Sequence, residues 1–414
     1  MKKIILFLVF VGIISCDNAS HIVEKKIKED VEFLADDKLE GRQTGTPGEE
    51  KAAEYISNRM RDIGLQPKGT DGFKQAFSFK PKTDPHKEVE FTTNADGTIT
   101  GHNVIGFLDN QAEKTIVIGA HYDHLGYGGE GSLYRGKDKA IHNGADDNAS
   151  GVAVMLNLAS RLKIKNDTAK VKDQNNYMFL AFSGEEMGLL GSNYFSKNPT
   201  IDDKSINYMI NMDMVGKLKA DSTLAVYGVG TSPLFKQTLN AHNDDFKLII
   251  NESGVGPSDH TSFYLIDIPV LHFFTGQHED YHKPTDDADK LNYEGMYKIS
   301  DYIYAMIADL DDNGELAFRK TKNESDSTPR FKVGLGVVPD YLYDGKGMRI
   351  DGTREETPAF RAGIQKGDVV VKLGDSIVTD MMSYMRALSV FEEGDEAKIT
   401  VQRKEVTIDT VVKF

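Results

Sequence analysis

The sequence predicts an α/β domain built on an open sheet, followed by a smaller β-rich module. Three observations predict it. Apolar runs of strand length, Thr115–Ala120, Tyr177–Phe182, Asn207–Asn211 and Ile268–Phe274, are joined by longer segments, of which Val152–Leu162 has helical periodicity. Each run leads into carboxylates or imidazoles, as expected where strands of an open sheet deliver ligands to one edge. The composition then shifts at Asp311–Arg330 to Asp, Asn, Glu, Lys, Ser and Thr, which reads as a linker. A chain of 414 residues is long enough for two domains.

Taken in order, Met1-Lys2-Lys3 and the apolar Ile4–Ile14 have the form of a secretory signal too short to span a membrane comfortably. Ile13-Ile14-Ser15-Cys16 is similar to a bacterial lipobox, so residues 1–16 are expected to be a lipoprotein signal peptide with Cys16 the lipidated residue. The expected location is the cell envelope, periplasm-facing or on the outer surface, with a lipid anchor to the membrane. Residues 17–310 form the first domain. In it Glu24–Leu34 and Glu49–Ile63 read as amphipathic helices around a turn-rich Leu39–Gly48. Gly64–Gly101 alternates in places, as at Glu88–Thr92, and suggests hairpin strands. Lys163–Asn176 reads as a polar connector, Thr223–Tyr227 as a further strand and Tyr293–Leu310 as a closing helix. After a linker at 311–330, residues 331–414 show a helical Ser383–Leu388 and alternating Ala397–Gln402 and Val406–Val412. No internal repeats occur.

The composition narrows the function. Apolar content of 39% supports sizeable cores. A net charge of -15 argues against nucleic acid as a partner. Cys16 is the only cysteine, so there is no disulfide framework, and any zinc must sit on His, Asp and Glu.

His121, Asp147, Glu186, Asp213 and His282 make a consistent ligand set. A co-catalytic pair, with ions about 3.5–4 Å apart, needs one bridging carboxylate and terminal His and carboxylate ligands on each side. Asp147 is the natural bridge, in the Gly- and Ala-flanked Gly144–Gly151 loop. His121 with Asp213 would serve one ion, Glu186 with His282 the other. The adjacent Glu185 and Glu186 cannot both point the same way, so one can bind metal while the other acts as a base. Asp123 is placed to accept the second imidazole N–H of His121, and Asp286 that of His282. His272, inside an apolar run, reads as a core histidine. Asn148-Ala149-Ser150 matches a glycosylation acceptor, expected to be a false positive in a bacterial-type lipoprotein.

In combination these residues resemble the secreted zinc aminopeptidases of the co-catalytic di-zinc exopeptidase clan over 24–310. The matching motifs are His121-Tyr122-Asp123, Asp146-Asp147-Asn148-Ala149-Ser150-Gly151, Glu185-Glu186-Met187-Gly188, Asp213-Met214, Ser258-Asp259-His260 and Tyr281-His282. Leu39–Thr46 is similar to the family's Leu-x-Gly-Arg-x-x-Gly-Thr signature. The resemblance implies a three-layer α/β/α sandwich with a mixed, largely parallel sheet and two zinc ions. It implies the five ligands above and Glu185 as general base; Asp123, which fixes the His121 tautomer, is counted with Glu185 as catalytic, and Tyr281, Asp259 and His260 are expected at the substrate. No stretch accommodates the protease-associated insert of some relatives. The C-terminal module resembles a bacterial PDZ domain, with Gly334, Leu335 and Gly336 as the carboxylate-binding loop.

The leading expectation is an aminopeptidase acting on peptide substrates through a water activated between two zinc ions. A carboxypeptidase or a glutaminyl cyclase of the same fold are the enzymatic alternatives. The cyclases use one zinc with an Asp-Glu-His set, whereas His121 and Asp213 complete a second site here. A non-catalytic PDZ-bearing binding protein is the alternative of another class; dead relatives lose ligands or the base, and this chain keeps them. The PDZ-like module is expected to take a protein or peptide C-terminus.

Overall fold

The computed structural model describes residues 24–80, 91–92, 97–129, 131–321, 333–340, 343, 345–354 and 356–414. The expected signal peptide at 1–16, with Cys16, and most of the Glu88–Thr92 stretch lie outside them. Among the described residues, no helix is long and apolar enough to cross a membrane.

The first helix, α1, covers 24–34 and buries Ile27, Val31 and Leu34, the i, i+4, i+7 stripe of an amphipathic helix. A 3-10 turn at Asp37–Arg42 follows, in which Glu40, Gly41 and Arg42 all have positive φ. Gly41 is required there: a Cβ would come within 2.4 Å of the His142 carbonyl oxygen. Helix α2, Pro47–Ile63, starts with Thr46 as N-cap and Pro47 in the first turn, and stops at the left-handed Gly64.

The strands that follow are β1 (Gln66–Pro67), β2 (Lys74–Phe79), β3 (Ile99–Leu108) and β4 (Lys114–His121). A long loop and a wide turn at Ala145–Ser150 lead into α3, Gly151–Thr168, which overruns much of the expected connector. Next come β5 (Asn175–Phe182), α4 (Leu190–Lys197), β6 (Ile206–Met212), β7 (Thr223–Tyr227), α5 (Phe235–Ala241) and β8 (Lys247–Ile250). Helix α6 (His260–Tyr264), β9 (Val270–Phe274) and α7 (Tyr293–Asp311) complete the domain. The sheet runs β1-β3-β5-β4-β6-β9-β7-β8, with β2 also on β3. The central β5-β4-β6-β9 are parallel, and β3 and β7 join them antiparallel.

Two cores flank the sheet because its strands are apolar on both faces. Ile116, Ile118, Tyr177, Phe179, Tyr208 and Ile210 enter one core with α1, α2, α3 and α7. Their neighbours Val117, Met178, Leu180 and Met209 enter the other, with Phe195 of α4 and Phe263 of α6. The expected three-layer sandwich is present. Its parallel strands put His121, Ser183–Glu186 and Asp213 on one edge. The chain diverges there, from β4 to β5 on one side and β6 on the other, which is the usual ligand-binding position in open α/β sheets.

The expected linker is not a tether in its first part. Leu316 is buried in the first core and donates its N–H to Asn207 Oδ1 at 2.8 Å; Arg319 N–H meets the Thr231 carbonyl at 2.8 Å. Leu316 and Phe318, two apolar side chains in a polar run, dock this stretch on the domain.

The C-terminal module has its own core and a six-stranded sheet. Its elements are β10 (Val337–Pro339), β11 (Met348–Thr353), α8 (Pro358–Arg361), β12 (Val369–Leu373), β13 (Ser376–Ile377), α9 (Met381–Leu388), β14 (Glu396–Arg403) and β15 (Val406–Lys413). The Gly334-Leu335-Gly336 loop leads directly into β10, an end strand of that sheet. The Leu335 and Gly336 carbonyls are taken by the N–H groups of Ala359 and Arg354.

Candidate metal centre and its cleft

Asp147 lies at the middle of the cluster, and its two oxygens face different partners. Oδ1 is 3.3 Å from His121 Nε2, which is also 3.3 Å from Asp213 Oδ1. Oδ2 is 3.2 Å from His282 Nε2, which is 3.3 Å from Glu186 Oε2. The five expected ligands are thus brought together, in the expected two groups. The distances test whether zinc fits. Ligand atoms 2.0–2.1 Å from a tetrahedral ion are about 3.3 Å from one another. The residues fit the metal.

The electrostatics agree. Burial works against a charged His121, but Asp213 and Glu185 override it and hold the imidazole well above its usual pKa. His282 is raised in the same way by Glu186 and Asp147. Despite burial, Asp147 is driven well below the carboxylate range by His121 and His282, and Glu186 down to about 2 by His282 and His124. A pocket this rich in carboxylates draws positive charge.

Glu185 points differently from Glu186. Burial, with Asp213, Asp259 and Glu186 nearby, pushes its carboxyl well above the ordinary range. Both glutamates line a cavity of about 120 Å³ with Asp147, Asp213 and His282 on one side. Met214, Tyr227, Pro257, Phe274 and Tyr281 supply its apolar wall, and Tyr281 stacks on His282 with ring centroids 3.8 Å apart.

Four expectations change. Asp286 does not orient His282: its Oδ2 accepts the N–H groups of Asp146 (3.0 Å) and Asp147 (3.1 Å) and so fixes the bridging loop. His282 Nδ1 instead meets the Gly131 carbonyl at 2.8 Å. Asp123 stands by His121, but the nearer acceptor is its own backbone carbonyl, 3.2 Å from Nδ1 against 3.6 Å for Oδ1. Its carboxylate is engaged elsewhere, accepting Glu185 N–H at 3.1 Å. Asp259 and His260 are fully buried behind the cavity wall, because the short α6 packs against β9, and His260 stacks on His272 at 4.4 Å. His272 is buried as expected, yet it also lines the cavity; burial lowers its pKa to about 4, so it is neutral.

Two residues gain roles that the sequence reading did not assign. His124 is buried, with Nδ1 2.7 Å from Glu186 Oε1, and holds that carboxylate while its other oxygen faces His282. His124, Asp147 and Glu186 also form a potential metal-binding group. The only signal for His124 was its place three positions after His121. Arg42, fully buried, donates to the carbonyls of Tyr122 (2.7 Å), Asn143 (2.6 Å), Gly144 (2.9 Å) and Leu34. It ties the His121 and Asp147 loops together, and burial lowers its pKa only to about 10, so it stays charged.

Comparison with known proteins agrees with this arrangement. Residues 103–307 match the model of peptidase family M28, and residues 320–414 match the PDZ domain. A protein named probable leucine aminopeptidase, from Trichophyton verrucosum, is 28% identical over 234 residues, 54% of each chain. The chain spans about half the length of the curated relatives it matches. A zinc aminopeptidase from Bacillus subtilis superposes with a TM-score of 0.54 at 18% identity, covering 71% of this chain and 95% of that one. A glutaminyl cyclase from Porphyromonas gingivalis gives 0.55 at 18%, covering 69% and 98%. These two likenesses show the fold. With the matched segment carrying the cluster, peptidase family M28 is present in residues 103–307 of this chain and a PDZ domain follows it in residues 320–414.

Proposed function

We propose that this protein is a two-zinc aminopeptidase that removes residues from peptide N-termini. The observation that carries the reading is the division of Asp147, whose two oxygens each face a separate imidazole–carboxylate pair beside the cavity that Glu185 lines. His121, Asp147 and Asp213 would hold one ion, and Asp147, Glu186 and His282 the other. Bound zinc would polarise the scissile carbonyl and make a water acidic enough to react near neutral pH. Glu185, which lines the cavity beside the cluster, would take the proton of the attacking water and pass it to the leaving amine. Met214, Tyr227, Phe274 and Tyr281 would enclose the terminal side chain. A cavity of about 120 Å³ has room for one such group, which favours exopeptidase action.

The cyclase reading requires only Asp147, Glu186 and His282. The His121–Asp213 pair on the other oxygen of Asp147 favours the peptidase. One peptide, offered with its N-terminus free or acetylated, tests the assignment. Only the free form should be shortened; cleavage of both forms points to the carboxypeptidase, and release of ammonia from an N-terminal glutamine to the cyclase.

Residues 1–16 support export to a bacterial cell envelope and anchoring through a lipid on Cys16. Cys16→Ser should move the protein from the membrane fraction to the soluble one; unchanged partitioning rejects the anchor. The Gly334-Leu335-Gly336 loop beside an end strand supports capture of a peptide C-terminus by strand addition.

A further inference from the structure

Residues 41–49 lie upstream of the segment matched to the peptidase family, yet they reach the catalytic loops. Thr44 is buried at 4% exposure. Its Oγ1 donates to Asp123 Oδ2 at 3.1 Å and stands 3.2 Å from Ser183 Oγ. Ser183 commits its own proton to Glu49 Oε1 at 2.7 Å and Thr44 commits its single proton to Asp123, so the approach of the two hydroxyls is a packing contact. Glu49 is fixed in turn by the N–H groups of His102 (2.9 Å) and Gly45 (2.7 Å). Gly101 leaves room for this packing, since a Cβ there would stand 2.8 Å from the Thr44 methyl and 3.2 Å from Ser183 Oγ.

The network ends on the proposed base. Asp123 Oδ1 accepts Glu185 N–H at 3.1 Å, so residues 183–185 are held at both ends, through Ser183 and through Glu185. Asp123 has a second call on that same oxygen, from His121 Nδ1 at 3.6 Å. Thr44 is the one donor to Oδ2 among the described hydrogen bonds, and it sets the plane of the carboxylate. Without it a buried carboxylate oxygen has no partner, and rotation toward His121 would release Glu185 N–H.

We propose that Thr44 is a positioning residue for Glu185, acting through the carboxylate of Asp123. The proposal rests on Glu185 being the base. It is tested in the full-length, zinc-loaded protein with leucine p-nitroanilide, comparing wild type, Thr44→Val and Thr44→Ser. Thr44→Val should keep KM and zinc content and lose about 10-fold in kcat, since a small displacement of a catalytic group is costly. Thr44→Ser should recover most of that loss. Amide hydrogen exchange over residues 183–186 should quicken in Thr44→Val alone, which reports on the network without any turnover. A Val variant with kcat near wild type, unchanged exchange, a change in KM alone, or loss of zinc or folding in both variants overturns the proposal. Wild-type protein that is inactive with two zinc ions bound defeats the reading of Glu185 as base, while the exchange result still decides whether Thr44 orders the loop.

Discussion

The imidazole of His282 and the carbonyl of Gly131 are 151 positions apart in the chain and 2.8 Å apart in space. That contact fixes which ring nitrogen is left to face Asp147 and Glu186. Gly131 sits at φ +100°, where a side chain is strained, and a Cβ would come within 3.3 Å of Leu125. Gly131→Val should therefore swing the carbonyl away from the ring and weaken zinc binding at the Glu186–His282 group about 10–100-fold. Titration with a competing chelator measures it, and unaltered affinity would remove Gly131 from the support of His282.

Asp147→Ala should disturb both metal sites, whereas His121→Ala or His282→Ala should weaken mainly one. Elemental analysis of wild type should return about two zinc equivalents, as a co-catalytic pair requires. A single tightly held metal under saturating zinc would favour the cyclase chemistry.

Glu185→Gln is nearly isosteric. It should keep its metals while turnover falls about 10²–10⁴-fold, the scale of a lost general base. Near-normal turnover would take Glu185 out of the mechanism.

The loop that carries Tyr281 and His282 makes an acid-sensitive prediction. Asp280 is clamped between Lys217 (2.6 Å) and Lys290 (2.8 Å), and although burial opposes it, these ammonium groups hold its carboxyl well below the usual range. A depressed folded-state pKa stabilises the fold fully above the unfolded value, about 3.9, and the contribution fades as pH falls below it. The melting-temperature gap between wild type and Asp280→Asn should thus be widest near pH 7 and shrink by pH 3. A gap that is constant with pH would show that the clamp contributes nothing through charge.

The docked stretch before the PDZ domain dictates where the domains can be separated. A chain ended at Leu310 would remove the buried Leu316, so the cut belongs after Thr321. If the PDZ domain captures substrate, this truncation should cleave short chromogenic amides normally and lose rate on long peptides with free C-termini. Equal losses on both would assign the domain a structural role.

Much of the sheet and of the metal cluster could be read from the sequence because strand ends are marked locally. An apolar run followed at once by His-x-Asp or Glu-Glu announces both the strand and its cargo, as at His121 and Glu186. What could not be read depends on contacts between distant or unmarked groups. Gly131 acts through a backbone carbonyl, which has no residue signature. Arg42, Thr44 and Glu49 act on partners about 80 to 135 positions away. Asp286 follows His282 closely in sequence, and proximity alone suggested the wrong partner. Leu316 and Phe318 were lost in a polar run whose average composition describes a tether.

The wide separations within the site also bear on the order in which the protein is made. Arg42 emerges early but must wait for the Asn143 and Gly144 carbonyls, 101 and 102 positions later; Gly131 must wait 151 for His282. Contacts this remote in the chain form late in folding. Assembly of the site should therefore come last: on refolding with zinc present, hydrolysis should return no sooner than native tertiary structure followed by near-ultraviolet circular dichroism, and earlier activity would disprove it.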